Sequence, residues 1–173
     1  MKRRFDTKKP HEPYELYLDE GVSGPKLVSL LGQARLTAHL FQSLLPRNKK
    51  VSDSRVIQVA AAARYVLVTT DKRMEALWIE DMIRHQAQVI LLSDESSGPI
   101  HWAADLIAGQ AAWQRVLLDH PGQPVTIKLA RSGTVTSVAG ELELRARRDR
   151  LLTARIVQYK KSGKVVKRGA RDK

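Results

Sequence analysis

The stretch Tyr65-Val66-Leu67-Val68-Thr69-Thr70-Asp71 decides the fold class of this chain. Its apolar and β-branched residues form a continuous run, which is typical of a strand buried on both faces of a parallel sheet. The run ends in two threonines and an aspartate, and open α/β sheets bind ligands at the carboxyl ends of their strands. We therefore predict an α/β protein with a mainly parallel sheet that carries Asp71 at its ligand-binding edge.

Two further aspartates are expected at the same edge. A strand from Tyr14 to Leu18 ends at Asp19, and Ser52 suits the N-cap of a helix that begins with Asp53. Each aspartate alone also fits a helix cap or a turn. Together they suit a hard divalent cation, because Mg²⁺ and Mn²⁺ prefer oxygen ligands. The sequence thus predicts a site for Mg²⁺ or Mn²⁺ formed by Asp19, Asp53 and Asp71.

Further residues are candidates for the same site, among them Glu20, Glu75 and Glu95 as a fourth acid. Asp94 follows a strand that ends at Leu92, so it is a further candidate metal ligand. The hydroxyl group of Thr69 or Thr70 is expected to orient a metal-bound water, and Thr70 is our choice for this role. The alternative is that both threonines reflect only the preference of β-branched residues for strands.

Helical patterns separate these strands. Pro25 suits the first turn of a helix, and a single helix is predicted over Lys72 to Gln86. A longer helix is expected from Ile100 to about Leu118, because the stretch is rich in alanine. Arg35 to Phe41 fits either a short strand or part of a helix.

Beyond residue 120 the pattern changes to strand-like segments. Val125 to Leu129 and Thr134 to Val138 flank a turn, and alternating segments continue at Glu141 to Ala146 and at Leu152 to Tyr159. We therefore predict a disordered basic tail over residues 1–13, an α/β domain over residues 14–140 and a basic β-rich extension over residues 141–173.

Charge is distributed unevenly along the chain, whose net charge is +12. Residues 1–13 carry about +3, residues 145–173 carry about +10, and the part between them is nearly neutral. Basic segments of this kind gain affinity for phosphate-rich partners through counterion release. The alternative for residues 162–173 is a solubilising disordered tail.

Composition limits the cellular setting. The chain has no cysteine, which excludes disulfides and thiolate metal sites and suits a reducing compartment. It has no apolar run near 18 residues, so no membrane span or membrane partner is expected, and no apolar segment follows the basic start to form a secretory signal. We expect a cytoplasmic protein.

Three stretches together resemble the PIN-domain nucleases, and most of all the short PIN-like branch found among bacterial toxin–antitoxin proteins. They are Leu16 to Val22, Val51 to Ala60 and Arg64 to Lys72, and the third is the most specific. The resemblance implies a three-layer α/β/α sandwich, with residues 14–140 as the PIN-like domain. It also implies metal-dependent hydrolysis of RNA, with Asp19, Asp53 and Asp71 as the metal-binding, catalytic acids.

The resemblance leaves two functions open. The first is a Mg²⁺- or Mn²⁺-dependent endoribonuclease. A variant of it is a toxin whose basic tail or β-rich end binds an acidic antitoxin, or a second copy of the chain in a homodimer. The second is a catalytically inactive PIN-like protein that binds nucleic acid or a partner, because Arg73 and Met74 stand where relatives often have an acid and a phenylalanine. The residues expected to bind nucleic acid are Arg47, Lys49, Lys50, Lys72, Arg73, Arg145, Arg147, Arg148, Lys160 and Lys161.

Overall fold

A computed structural model of the protein describes residues 14–45, 51–93 and 97–161. The strands are β1 (Leu16–Leu18), β2 (Ala38–His39), β3 (Val66–Thr69), β4 (Gln88–Leu92), β5 (Val125–Leu129) and β6 (Val135–Ala139). The helices are α1 (Pro25–Gln33), α2 (Asp53–Ala62), α3 (Met74–Leu77), α4 (Ile79–His85), α5 (Pro99–Ala108), α6 (Gln110–Asp119) and α7 (Glu141–Lys161). Short 3₁₀ turns occur at Phe41–Ser43 and Arg131–Gly133.

The strands form one sheet in the order β2-β1-β3-β4-β5-β6. The first five of these strands are parallel to their neighbours, and β6 pairs with β5 in the antiparallel sense. The prediction of an α/β protein with a mainly parallel sheet is therefore confirmed. The stretch from Arg35 to Phe41, which the sequence left open, contains the two-residue edge strand β2.

Helices cover both faces of the sheet, because side chains of the buried strands alternate between two apolar cores. Leu18 and Val68 belong to the core that also contains buried residues of α1, α5 and α6. Tyr17 and Leu67 belong to the other core, with buried residues of α2, α4 and the first turn of α7. This arrangement is compatible with a three-layer sandwich.

The predicted helix over Ile100 to Leu118 is in fact two helices that break at Gly109. The reason is a close backbone contact, since a Cβ atom at Gly109 would lie 2.5 Å from the carbonyl oxygen of Gly133. Gly133 itself has a φ of +74°, and a Cβ atom there would lie 2.2 Å from the nitrogen of Gly109. Two glycines thus let the α5–α6 junction rest on the turn before β6.

The single helix predicted over Lys72 to Gln86 is also interrupted. The backbone of Trp78, with φ −119° and ψ 13°, leaves the helical conformation and separates α3 from α4. As a result Leu77 is 53% exposed, whereas Ile79 is buried. Met74 and Met82 are also buried.

The predicted β-rich extension is wrong over residues 141–161, which form α7. Leu144 is fully buried and Leu151 packs partly against the same core, a spacing of two helical turns. Glutamates at 141 and 143 form ion pairs with Arg145 and Arg147 four residues later, which stabilises a helix. Alternating charged and apolar residues imitated the period of a strand.

Some predicted features fall outside the described residues. These are the disordered tail over residues 1–13 and the last part of the extension, residues 162–173. No helix in the described ranges is long and apolar enough to cross a membrane.

Candidate active site

The sheet places Asp19 and Asp71 at the ends of two adjacent parallel strands. Leu18 of β1 is paired with Val68 of β3, and the backbone N–H of Asp19 donates to the carbonyl oxygen of Val68 at 2.9 Å. The chain leaves β1 for β2 on one side and leaves β3 for β4 on the other. Ligands of open α/β sheets bind at such a reversal of strand order.

Asp53 is the third aspartate of this edge. It is the first residue of α2, whose N-cap Ser52 accepts a hydrogen bond from the backbone of Arg55. α2 leads into β3, so in a parallel sheet its N-terminus lies toward the carboxyl ends of the strands. The charge of Asp53 acts on Asp19, because Asp53 and Asp71 both raise the pKa of the Asp19 carboxyl group.

The carboxylate of Asp19 is held by two hydrogen bonds. Its Oδ2 accepts from Oγ1 of Thr69 at 2.7 Å, and its Oδ1 accepts from the backbone N–H of Glu20 at 2.8 Å. Burial is the main cause that raises the pKa of Asp19, the two hydrogen bonds act in the opposite direction, and Asp53 and Asp71 raise it further. Among the described residues no cationic side chain forms an ion pair with this carboxylate, whereas two other aspartates act on it.

Thr69 connects Asp19 with Asp71. Its side chain is fully buried, and its Oγ1 donates to Asp19 and also accepts from the backbone N–H of Asp71 at 3.1 Å. Thr70, which the sequence suggested for orienting water, is 8% exposed. It lies close to Gly21, since a Cβ atom added to that glycine would be 3.7 Å from Oγ1 of Thr70. The water-orienting role of Thr70 stays a prediction, whereas Thr69 positions the acids themselves.

Asp71 is engaged by a residue of its own turn. Nε of Arg73 lies 2.9 Å from Oδ1 and Nη2 lies 3.0 Å from Oδ2, while the backbone N–H of Arg73 also donates to Oδ1 at 2.9 Å. The side-chain hydrogen bond from Arg73 is the main cause that lowers the pKa of Asp71, and partial burial opposes it. The site therefore contains one aspartate with a cationic partner and one without.

The donor set suits a hard divalent cation in its chemistry, since it consists of carboxylates whose mutual repulsion a cation relieves. In the arrangement described here, however, no three histidine, aspartate or glutamate side chains among the described residues are grouped closely enough to hold an ion. Both oxygens of Asp71 are hydrogen-bonded to Arg73 instead. A metal shared by the three aspartates would compete with this arginine for the oxygens of Asp71.

The basic residues predicted to bind nucleic acid lie in different environments. Lys72 and Arg73 are exposed beside Asp71. Arg145, Arg147 and Arg148 are on α7 and form ion pairs with acids of the same helix. Lys160 and Lys161 are the last residues of α7. The residues Asp94, Arg47, Lys49 and Lys50 lie outside the described ranges.

Sequence reasoning missed two arginines of α7. Arg150 and Arg155 are exposed, and among the described residues neither has an acidic partner. The signal was present in the spacing, because Arg145 and Arg147 each follow a glutamate by four residues, whereas Arg150 follows Ala146. It was overlooked because this segment was predicted to form strands.

Comparisons with protein-family models, with curated proteins and with solved structures found no match to this chain.

Proposed function

We propose that this protein is a Mg²⁺- or Mn²⁺-dependent endoribonuclease with a PIN-like three-layer fold. The observation that carries the proposal is the hydrogen-bonded chain from Asp19 through Thr69 to Asp71, at the point where strand order reverses. Carboxylates held close together repel each other, and a bound cation would relieve that repulsion. The resemblance of the sequence to PIN-domain nucleases supports the same function.

In this proposal Asp19, Asp53 and Asp71 hold the metal. A bound divalent ion of this kind lowers the pKa of water and neutralises charge on phosphate oxygens. Thr69 and the backbone N–H of Glu20 keep Asp19 in one orientation, and each carboxylate oxygen retains a lone pair with which it can bind a cation. Arg73, once released from Asp71, is placed to bind a phosphate oxygen of the substrate through its planar guanidinium group.

A second candidate function is favoured by one observation. Arg73 satisfies both oxygens of Asp71, as a permanent ion pair does in a site that no longer binds metal. The protein is then a nucleic-acid-binding or partner-binding PIN-like protein without catalysis. The two candidates differ in whether a divalent ion displaces Arg73.

The test is cleavage of a fluorescently labelled single-stranded RNA with Mn²⁺. We expect the wild-type protein to cleave this RNA. Asp19→Asn should lower the cleavage rate by more than about 100-fold, because changes to residues that only support the metal ligands already cost up to about that much. The matched control is Asp119→Asn, which changes the same group at the exposed end of α6 and should keep wild-type activity. Equal activity of Asp19→Asn and wild type excludes the nuclease, and absence of Mn²⁺-dependent cleavage in the wild type favours the binding protein.

Two expectations from the sequence remain proposals within this function. They are that the protein acts as a toxin neutralised by an acidic antitoxin, and that it forms a homodimer. Its placement in the cytoplasm is likewise a proposal.

A further inference from the structure

A hollow lies between α3 and α7, and α3 is the helix that follows the turn after β3. It is lined by Ala76 of α3 and by Arg147, Arg150 and Leu151 of α7. α3 follows Asp71 directly, since the backbone N–H of Met74 donates to the carbonyl oxygen of Asp71 at 3.0 Å. The hollow is therefore attached to the same short segment that carries Asp71.

The α7 side of the hollow is fixed to the body of the protein. Leu144 is fully buried, Leu151 packs partly against the same core, and α7 contacts α4. Arg147 and Arg150 are three residues apart and so project from neighbouring turns of one helix face. The guanidinium groups are thus carried by a helical segment whose position is set by core packing.

The two arginines differ in their charge balance. Arg147 forms an ion pair with Glu143, which offsets its charge. Arg150 is exposed and has no acidic partner among the described residues. Among the described residues that line the hollow, Arg150 thus carries a positive charge that no described acid pairs with, and an anion is the ligand that complements it.

We propose that the hollow binds a backbone phosphate of the RNA substrate, and that Arg150 is the residue that binds it. The inference rests on the proposed function, since that function makes RNA the substrate. It adds a binding position outside the acidic site. Arginine suits the role because its planar donors match phosphate oxygens.

Arg155 provides a matched control on the same helix. It is also an exposed arginine without an acidic partner among the residues that the structure describes, but it does not line the hollow. Arg150→Ala and Arg155→Ala remove the same charge from α7, and alanine favours a helix at either position. A general attraction of RNA to a basic helix predicts equal losses, whereas a phosphate position in the hollow predicts a larger loss for Arg150→Ala.

The experiment is fluorescence anisotropy with a labelled single-stranded oligoribonucleotide in EDTA, over a series of KCl concentrations. We expect Arg150→Ala to weaken binding by about fivefold. The slope of log affinity against log salt concentration should become less steep by about 0.7, the value for one phosphate contact with a single strand. Arg155→Ala should change the affinity by less than about twofold. Arg150→Lys should recover part of the affinity, because it restores a charge at this position.

Two results overturn the inference: equal effects of Arg150→Ala and Arg155→Ala, or no binding of RNA by the wild type. Circular dichroism of each variant verifies that α7 is intact. Because EDTA removes divalent ions, this binding does not depend on the metal chemistry. Cleavage without a selective effect of Arg150 overturns the inference alone, and selective binding without cleavage overturns the catalytic part of the proposed function alone.

Discussion

Arg73 holds both carboxylate oxygens of Asp71, with its Nε 2.9 Å from Oδ1 and its Nη2 3.0 Å from Oδ2. The guanidinium group therefore occupies the carboxylate oxygens that a cation shared by the three aspartates would bind. Arg73 is largely exposed, with 76% of its side-chain surface accessible, so it can leave Asp71 without disturbing the core. This pair links the geometry of the turn after β3 to the proposed activity.

Arg73→Gln is expected to strengthen the binding of Mn²⁺ by about tenfold, a size that is usual when two binding events are coupled. The reason is that the substitution removes the positive charge that competes for Asp71. Isothermal titration calorimetry with Mn²⁺ alone measures the effect. Lys72→Gln removes the adjacent exposed charge and should change the affinity much less; equal affinities of Arg73→Gln and wild type show that no competition exists.

Thr69→Val is expected to lower the free energy of unfolding by about 1–3 kcal/mol, because it leaves a buried oxygen of Asp19 and the N–H of Asp71 without their partner. Urea denaturation measures the change. Thr126→Val is the control, since the buried hydroxyl of Thr126 contacts only the weak acceptor Sδ of Met82, at 3.9 Å. Similar stabilities of the two variants show that Thr69 does not fix the acids.

The two aspartates should affect the pH dependence of stability in opposite directions. The pKa of Asp19 is raised above its ordinary value of 3.8, so the folded protein binds this proton more tightly than the unfolded chain, and the contribution of Asp19 to stability falls as pH rises above 3.8. The pKa of Asp71 is lowered, so its contribution is present above pH 3.8 and is lost as pH falls below that value.

Urea denaturation of Asp19→Asn and Asp71→Asn over about pH 3 to about pH 7 tests these signs. Relative to wild type, Asp19→Asn should gain stability as pH rises, and Asp71→Asn should lose it. Differences with the same slope in both variants contradict the opposite environments of the two carboxyl groups.

Gly109→Ala is expected to cost about 2 kcal/mol or more, because its Cβ atom meets the backbone of Gly133 at 2.5 Å and neither backbone moves easily. Thermal unfolding measures the change. Gly32→Ala is the control, since a Cβ atom in the last turn of α1 meets no atom within 4 Å and alanine favours the helix. A tolerated Gly109→Ala shows that the α5–α6 junction does not need this contact.

The sequence was sufficient to predict an element wherever a local pattern had only one structural interpretation. The buried run that ends at Asp71 predicted β3, and Pro25 and Ser52 marked the starts of α1 and α2. Parallel pairing then brought Asp19 beside Asp71 without further information.

Other features depended on tertiary contacts that a single sequence does not display. The apolar pattern continues through Gly109, so the helix break there follows only from the contact with Gly133. α7 was misread because alternating charges hid the spacing of Leu144 and Leu151. The Arg73–Asp71 pair depends on the geometry of the turn after β3, which the sequence does not determine.

The most direct test of the central claim is an anomalous difference map from a crystal of the protein soaked in Mn²⁺. The proposed function predicts one peak at the carboxyl edge of the sheet, about 2.1 Å from carboxylate oxygens of Asp19 and Asp71, with Arg73 displaced from Asp71. A map without a peak at this edge, in a structure that keeps the Arg73–Asp71 pair intact, would contradict it.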